Sequence, residues 1–288
     1  MTAFAAPEIG KTIVANGIST NYLQTGTGEP VVFVHGSGPG VTAYANWRLT
    51  LPALAERFGC YAPDMVGFGF TDRPIGFSYT LQNWVDQLSG FLDALGLEAV
   101  SLVGNSFGGA VALRLAVSQP ERVSRLVLMG SVGVPFPITE ALDAVWGYQP
   151  SLDAMREMLD HFAYSRELVT DELAQVRYEA SIRPGFQESF AAMFPAPRQR
   201  WVDALSTPHE QIAALQVPTL IVHGRDDKVI PLATSLRLHE LIDDSELHVF
   251  GRCGHWTQIE RSGPFTALVA DFLSRPGCER TKDPSGGE

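Results

Sequence analysis

A serine with glycines two residues away on each side, in Val103-Gly104-Asn105-Ser106-Phe107-Gly108-Gly109, stands where the apolar run Ala99-Val100-Ser101-Leu102-Val103 gives way to a helical pattern. A strand that turns this sharply into a helix strains the backbone at the serine and crowds the residues beside it. The glycines supply the room, and the turn lifts Oγ clear of the sheet. The following helix aims its unpaired N–H groups at any oxyanion that forms there. Two later segments offer the partners a serine nucleophile needs. The strand-like Val217-Pro218-Thr219-Leu220-Ile221-Val222 runs into His223-Gly224-Arg225-Asp226-Asp227, and Leu247-His248-Val249-Phe250 runs into Cys253-Gly254-His255-Trp256. Ser106, an acid and His255 thus follow three strands in the order nucleophile, acid, base, the arrangement of a serine hydrolase triad. Spacing alone leaves Asp226 and Asp227 both open as the orienting acid.

An early buried strand, Pro30-Val31-Val32-Phe33-Val34, is followed at once by His35-Gly36-Ser37-Gly38-Pro39-Gly40. No Gly-Lys-Ser/Thr follows, so these glycines do not form a phosphate loop. They fit the second half of an oxyanion hole, with the backbone N–H of Ser37 paired with that of Phe107. His35 is expected to hold this loop rather than act as a base. Gly67-Phe68-Gly69 lacks the third glycine and the downstream acid of a dinucleotide fingerprint. The remaining histidines, at 161, 209, 223, 239 and 248, show no metal-ligand spacing. Neither a cofactor nor a metal is therefore expected.

Positioning such groups requires a sheet. Thr12-Ile13-Val14 and Ser19-Thr20-Asn21-Tyr22-Leu23 around Asn16-Gly17 read as a hairpin. A helix over 47–55, a strand at Cys60-Tyr61-Ala62, a helix over 81–95, the elbow strand with its helix over 106–117, and a strand at 125–129 follow. Strands alternating with helices imply an α/β fold with a mostly parallel sheet and right-handed crossovers. From 134 to 208 the pattern changes to short, proline-punctuated helical segments rich in aromatics, with no buried strand. The expected organisation is a core in two parts, 1–133 and 209–275, a helical lid at 134–208 closing an apolar pocket over the elbow, and a disordered polar tail at 276–288.

Composition excludes several roles. With 288 residues, 45% of them hydrophobic, the chain can bury a large core. A net charge of −11 and 21 dispersed Lys and Arg residues argue against a nucleic-acid partner. No apolar run reaches the ~18–20 residues of a membrane span. The first residues show no basic segment followed by a long apolar one, so no signal peptide is expected. Cys60, Cys253 and Cys278, odd in number and far apart, suit reduced thiols in a cytoplasm.

With these residues placed, the chain resembles the α/β-hydrolases that cleave carbon–carbon bonds in meta-cleavage products of aromatic degradation. The marks are His35 to Ala43 with Asn46-Trp47-Arg48, Gly104-Asn105-Ser106-Phe107-Gly108-Gly109, and Gly254-His255-Trp256. Segments 143–148, 181–186 and 194–201 are most similar to 2-hydroxymuconate semialdehyde hydrolases. The resemblance implies a catalytic Ser106, Asp227 and His255, and substrate-binding Asn46, Asn105, Arg177 and Trp256. It also implies a cofactor-free cytoplasmic enzyme, a small dienoate substrate and a homo-oligomer. Arg177 by position alone reads as a solvated surface charge; only the resemblance makes it a ligand for a carboxylate. Three other readings compete: a relative preferring 6-aryl substrates, a general carboxylesterase, and a ligand-binding receptor on the same fold.

Overall fold

In the computed structural model, which describes residues 7–276, Asn16 and Gly17 both take positive φ (48° and 79°). This two-residue turn matches the right-handed twist of the strands it joins, β1 (Lys11–Ala15) and β2 (Ile18–Thr25). Six more strands follow: β3 (Pro30–Val34), β4 (Gly59–Pro63), β5 (Val100–Asn105), β6 (Val123–Met129), β7 (Thr219–Gly224) and β8 (Ser245–Phe250). They form one sheet in the order β1-β2-β4-β3-β5-β6-β7-β8. β1 with β2 and β2 with β4 pair antiparallel; every other pairing is parallel. The mostly parallel α/β sheet expected from the alternation is the one found. The tail's 277–288 and Cys278 lie outside the described residues.

The central strands are buried on both faces, and their period of two divides the core. Val32, Val34, Leu102, Leu126 and Leu128 point into one cluster with Trp84, Phe91 and Phe107. Val31, Phe33, Val103, Val127 and Met129 point into the other, with Trp47, Leu54 and Phe265. The helices Leu81–Ala94 and Phe107–Ser118 cover the first face; Ser262–Ser274 covers the second. Each fully buried aliphatic or aromatic side chain contributes about 1.5–3 kcal/mol, so this two-sided core fixes the strand ends rigidly.

The single helix expected over 47–55 is instead two short ones, Ala43–Trp47 and Leu51–Leu54. Pro52 has no N–H to continue a ladder and is tolerated only in a first turn, so a second helix must begin there. Between β6 and the short helix His209–Ala213 lie five α-helices, one 3-10 turn (Arg166–Leu168) and no strand: Glu140–Trp146, Leu152–Phe162, Asp171–Ser181, Phe186–Met193 and Gln199–Ala204. Three have hydroxyl caps, Thr139, Ser151 and Thr170 accepting the N–H of Leu142, Ala154 and Leu173 at 3.0, 3.0 and 3.1 Å. Most of the aromatics here pack inward. Trp146 stacks on Phe194 at 4.3 Å between ring centres, and Phe190 lies edge-on to Phe68 beneath.

Candidate active site

The turn after β5 holds Ser106 at φ 55°, ψ −116°, a conformation that costs a non-glycine residue about 1–3 kcal/mol. Backbone contacts sustain it: Ser106 N–H donates to Met129 O at 2.9 Å, and Val132 N–H to Ser106 O at 3.2 Å. A Cβ on Gly104 would lie 2.6 Å from Gly108 O, and one on Gly108 would lie 2.3 Å from Val34 O. Both glycines are thus required by close approach of main chain to main chain. Gly36 passes so near that a Cβ there would sit 3.4 Å from the Cβ of Ser106. Phe107 opens the helix, so its N–H has no carbonyl one turn earlier within it.

The loops after β7 and β8 meet at the same carboxyl edge. His255 Nδ1 lies 2.7 Å from Asp227 Oδ2, with Asp227 only 1% exposed. Asp227 Oδ1 accepts the N–H of Val229 (2.7 Å) and Ile230 (2.9 Å), so the carboxylate cannot turn. A carboxylate oxygen only accepts, which puts the proton on Nδ1 and leaves Nε2 of His255 as a base. Asp226 is directed elsewhere: its Oδ2 accepts Cys253 N–H at 3.3 Å and lies 3.6 Å from Arg225. A Cβ on Gly130, just after β6, would fall 3.3 Å from His255 Nδ1 and 3.4 Å from Asp227 Oδ2. The end of the strand that receives the Ser106 N–H therefore abuts the His–Asp pair. His223 stands behind it, Nδ1 on Ser235 Oγ (2.7 Å) and Nε2 3.1 Å from Ile230 O and 3.5 Å from Asp227 Oδ2. Burial pushes His223 below its ordinary range, against the pull of Asp227.

His35 is fully buried and holds the loop after β3. Its Nε2 accepts Met65 N–H at 2.9 Å, so Nδ1 carries the proton and donates to Gly36 O at 2.8 Å. Burial pushes its pKa down, keeping the ring neutral. Both nitrogens are committed to backbone, which leaves His35 nothing to offer a substrate.

These loops enclose a cavity of about 280 Å³. Gly36, Ser37, Asn46, Asn105, His255 and Trp256 line it, and Arg177 reaches it from the helix Asp171–Ser181. Asn105 Nδ2 donates to Asn46 Oδ1 at 3.1 Å, leaving the buried Asn105 Oδ1 unpartnered. Arg177 is held by carbonyls, Nη1 on Gly40 O at 3.3 Å and Nη2 on Pro39 O at 3.1 Å. Desolvation lowers it to about 10, still a cation at neutral pH. Among the described residues, no group of three or more His, Cys, Asp or Glu side chains could share a metal ion, and no helix is long and apolar enough to cross a membrane.

A family model described as alpha/beta hydrolase fold matches residues 29–262. The chain is 62% identical to a 2-hydroxy-6-oxo-2,4-heptadienoate hydrolase of Pseudomonas putida over 93% of this chain and 97% of that one. It is 61% identical to a 2-hydroxymuconate semialdehyde hydrolase of a Pseudomonas species, over 93% and 95%. A solved meta-cleavage product hydrolase from Pseudomonas fluorescens, a serine-to-alanine mutant complexed with acetates, superposes with a TM-score of 0.92. That match has 60% identity and covers 92% of this chain and 98% of the other. The chain belongs to the meta-cleavage product hydrolases of the alpha/beta hydrolase fold.

Within this meta-cleavage product hydrolase, two wall residues escape a reading of motifs. Phe162, closing the helix Leu152–Phe162, stacks on His255 (5.5 Å) and Trp256 (5.2 Å). Its carbonyl also accepts both their N–H groups, at 2.8 and 3.3 Å. It is the one member of the aromatic-rich segment in the cavity wall, where Met158, Leu168 and Leu173 supply the other apolar surface from that segment. Arg48 is the second. It lines the cavity from inside the Asn46-Trp47-Arg48 motif, where its place two residues after Asn46 is the signal that could have found it.

Proposed function

We propose that this chain hydrolyses the C5–C6 bond of 2-hydroxy-6-oxohexa-2,4-dienoates, with hydrogen or methyl at C6, to 2-hydroxypenta-2,4-dienoate and a small carboxylic acid. The observation that carries the reading is a fixed guanidinium, Arg177, with no carboxylate within ion-pair distance among the described residues, in the wall of the cavity that His255 also lines. An esterase needs no cation there. A carbon–carbon hydrolase does, because a carbanion leaves only if its charge is delocalised into an anchored electron sink. Relatives above 60% identity named for the 6-methyl and 6-unsubstituted substrates support the small C6 group.

Arg177 pairs with the C1 carboxylate and orients the diene. Ketonisation at C2 with protonation at C5 makes the C6 carbonyl the site of attack. His255, held in one tautomer by Asp227, takes the proton of Ser106 or of water. The N–H groups of Ser37 and Phe107 stabilise the oxyanion at C6, each worth about 3–4 kcal/mol. The C5–C6 bond then breaks, its electrons pass to the C2 oxygen, and water supplies the acid's second oxygen. Asn46, Asn105 and Trp256 contact the substrate, and the helices of 134–208 act as the lid that keeps bulk water out. The buried free thiols Cys60 and Cys253, pushed up to about 12 by burial, support a cytoplasmic setting.

The test is loss of dienolate absorbance on mixing with the 6-unsubstituted, 6-methyl and 6-phenyl compounds. The first two should turn over fastest, and Arg177→Met should lower kcat/KM about 100-fold, the loss of about 3 kcal/mol of charge pairing. Rapid hydrolysis of p-nitrophenyl esters without dienoate turnover, or indifference to Arg177→Met, would overturn the reading.

A further inference from the structure

Arg48 follows the helix Ala43–Trp47, and its Nη1 donates to Ala45 O at 2.6 Å. Like Arg177, it lines the cavity, is tied down by a backbone carbonyl, and has no carboxylate within ion-pair distance among the described residues. Among the described residues, no Asp or Glu lines the cavity. After desolvation, Arg177 feels Glu8 as attraction and Arg48 and Arg183 as repulsion. Glu8 is itself occupied, 2.7 Å from Arg183 Nη1. Three guanidinium groups therefore face one carboxylate, and the carboxylate is not in the cavity.

Two fixed cations in the wall of one cavity of about 280 Å³, about 8 Å across if spherical, both act on whatever fills it, since buried charges are little screened. A ligand of matching charge in the cavity relieves their mutual repulsion. We propose that Arg48 is a second anion-binding residue of this cavity, and that the pocket takes its ligand as a dianion with two adjacent acidic oxygens, one beside Arg177 and the other beside Arg48. This deepens the dienoate reading and rests on it: the ligand form selected is the C1 carboxylate with its C2 oxygen as the enolate. Arg48 then specifies the protonation state that binds, holding charge at the oxygen from which ketonisation starts.

Isothermal titration calorimetry of the purified full chain with oxalate, propionate and glutarate tests this without turnover. Oxalate, with adjacent charges, should bind at least about tenfold tighter than propionate, the worth of one charge-assisted contact. Arg48→Met should erase that advantage while changing propionate affinity less than about twofold; Arg48→Lys, which keeps the charge, should retain most of it. An oxalate advantage undiminished in Arg48→Met, no advantage in the wild type, or glutarate binding tighter than oxalate would each overturn the proposal. Should Arg48→Met not fold, the wild-type ranking of the three ligands and the Arg48→Lys titration decide. Failed dienoate hydrolysis with the oxalate pattern intact would overturn the substrate reading alone.

Discussion

Replacing Asp227 by asparagine keeps the shape of the site and inverts its proton. Asp227 Oδ1 accepts two backbone N–H groups, from Val229 and Ile230. An asparagine must keep its carbonyl oxygen there, because the flipped amide would set an NH2 against two buried donors. The NH2 then faces His255 Nδ1, 2.7 Å away, which must become an acceptor. Its proton moves to Nε2, the nitrogen that should receive one. His223 Nε2, 3.5 Å from Asp227 Oδ2, adds another donor on the same side. The lost charge is worth about 4 kcal/mol at ~4 Å and an effective dielectric of about 20, a figure that includes the charge-assisted hydrogen bond across the same contact. A loss of about 4 kcal/mol lowers kcat by about 10³-fold. Dienolate decay measured at matched folded fractions reads the loss directly. A fall of less than tenfold, or an equal fall in Asp226→Asn, would refute the reasoning, since the Asp226 carboxylate accepts Cys253 N–H and lies beside Arg225, not His255.

Gly108→Ala should cost about 3 kcal/mol or more and sharply lower Tm, because its Cβ would lie 2.3 Å from Val34 O and 2.4 Å from His35 O in a wall that cannot relax; an unchanged Tm would contradict the geometry of the elbow. His223, held neutral by burial, has a folded pKa below the unfolded value of about 6.5. The unfolded chain therefore takes up this proton first on acidification. Stability from this group is complete above about pH 6.5 and declines below it, by at most about 1.4 kcal/mol per pH unit. Urea midpoints at pH 7.5 and 5.5 should show a smaller acid loss in His223→Gln than in the wild type. Phe162→Ala should cost about 3–5 kcal/mol as a large-to-small core change and loosen His255, read as lower Tm together with lower kcat.

Local physics made much of this molecule legible from its residues. Asn16-Gly17 favours one hairpin turn, two-sided apolar runs such as Val31-Val32-Phe33-Val34 require a sheet covered on both faces, and glycines at 104 and 108 mark a turn in which main chains touch. Because loops at the carboxyl ends of parallel strands share one edge, the elbow and the segments after β7 and β8 had to meet. Spacing could not choose between Asp226 and Asp227, which differ by one step along a loop; the N–H groups of Val229 and Ile230 decide which carboxylate faces His255. Pro52 was visible in the sequence, yet its effect of splitting the helix at 47–55 depends on where the preceding turn stops. The contact of Phe162 with His255, and the placing of Arg48 and Arg177 in one cavity wall from separate segments, are tertiary facts. No periodicity encodes them, because they join residues 93 and 129 positions apart in sequence.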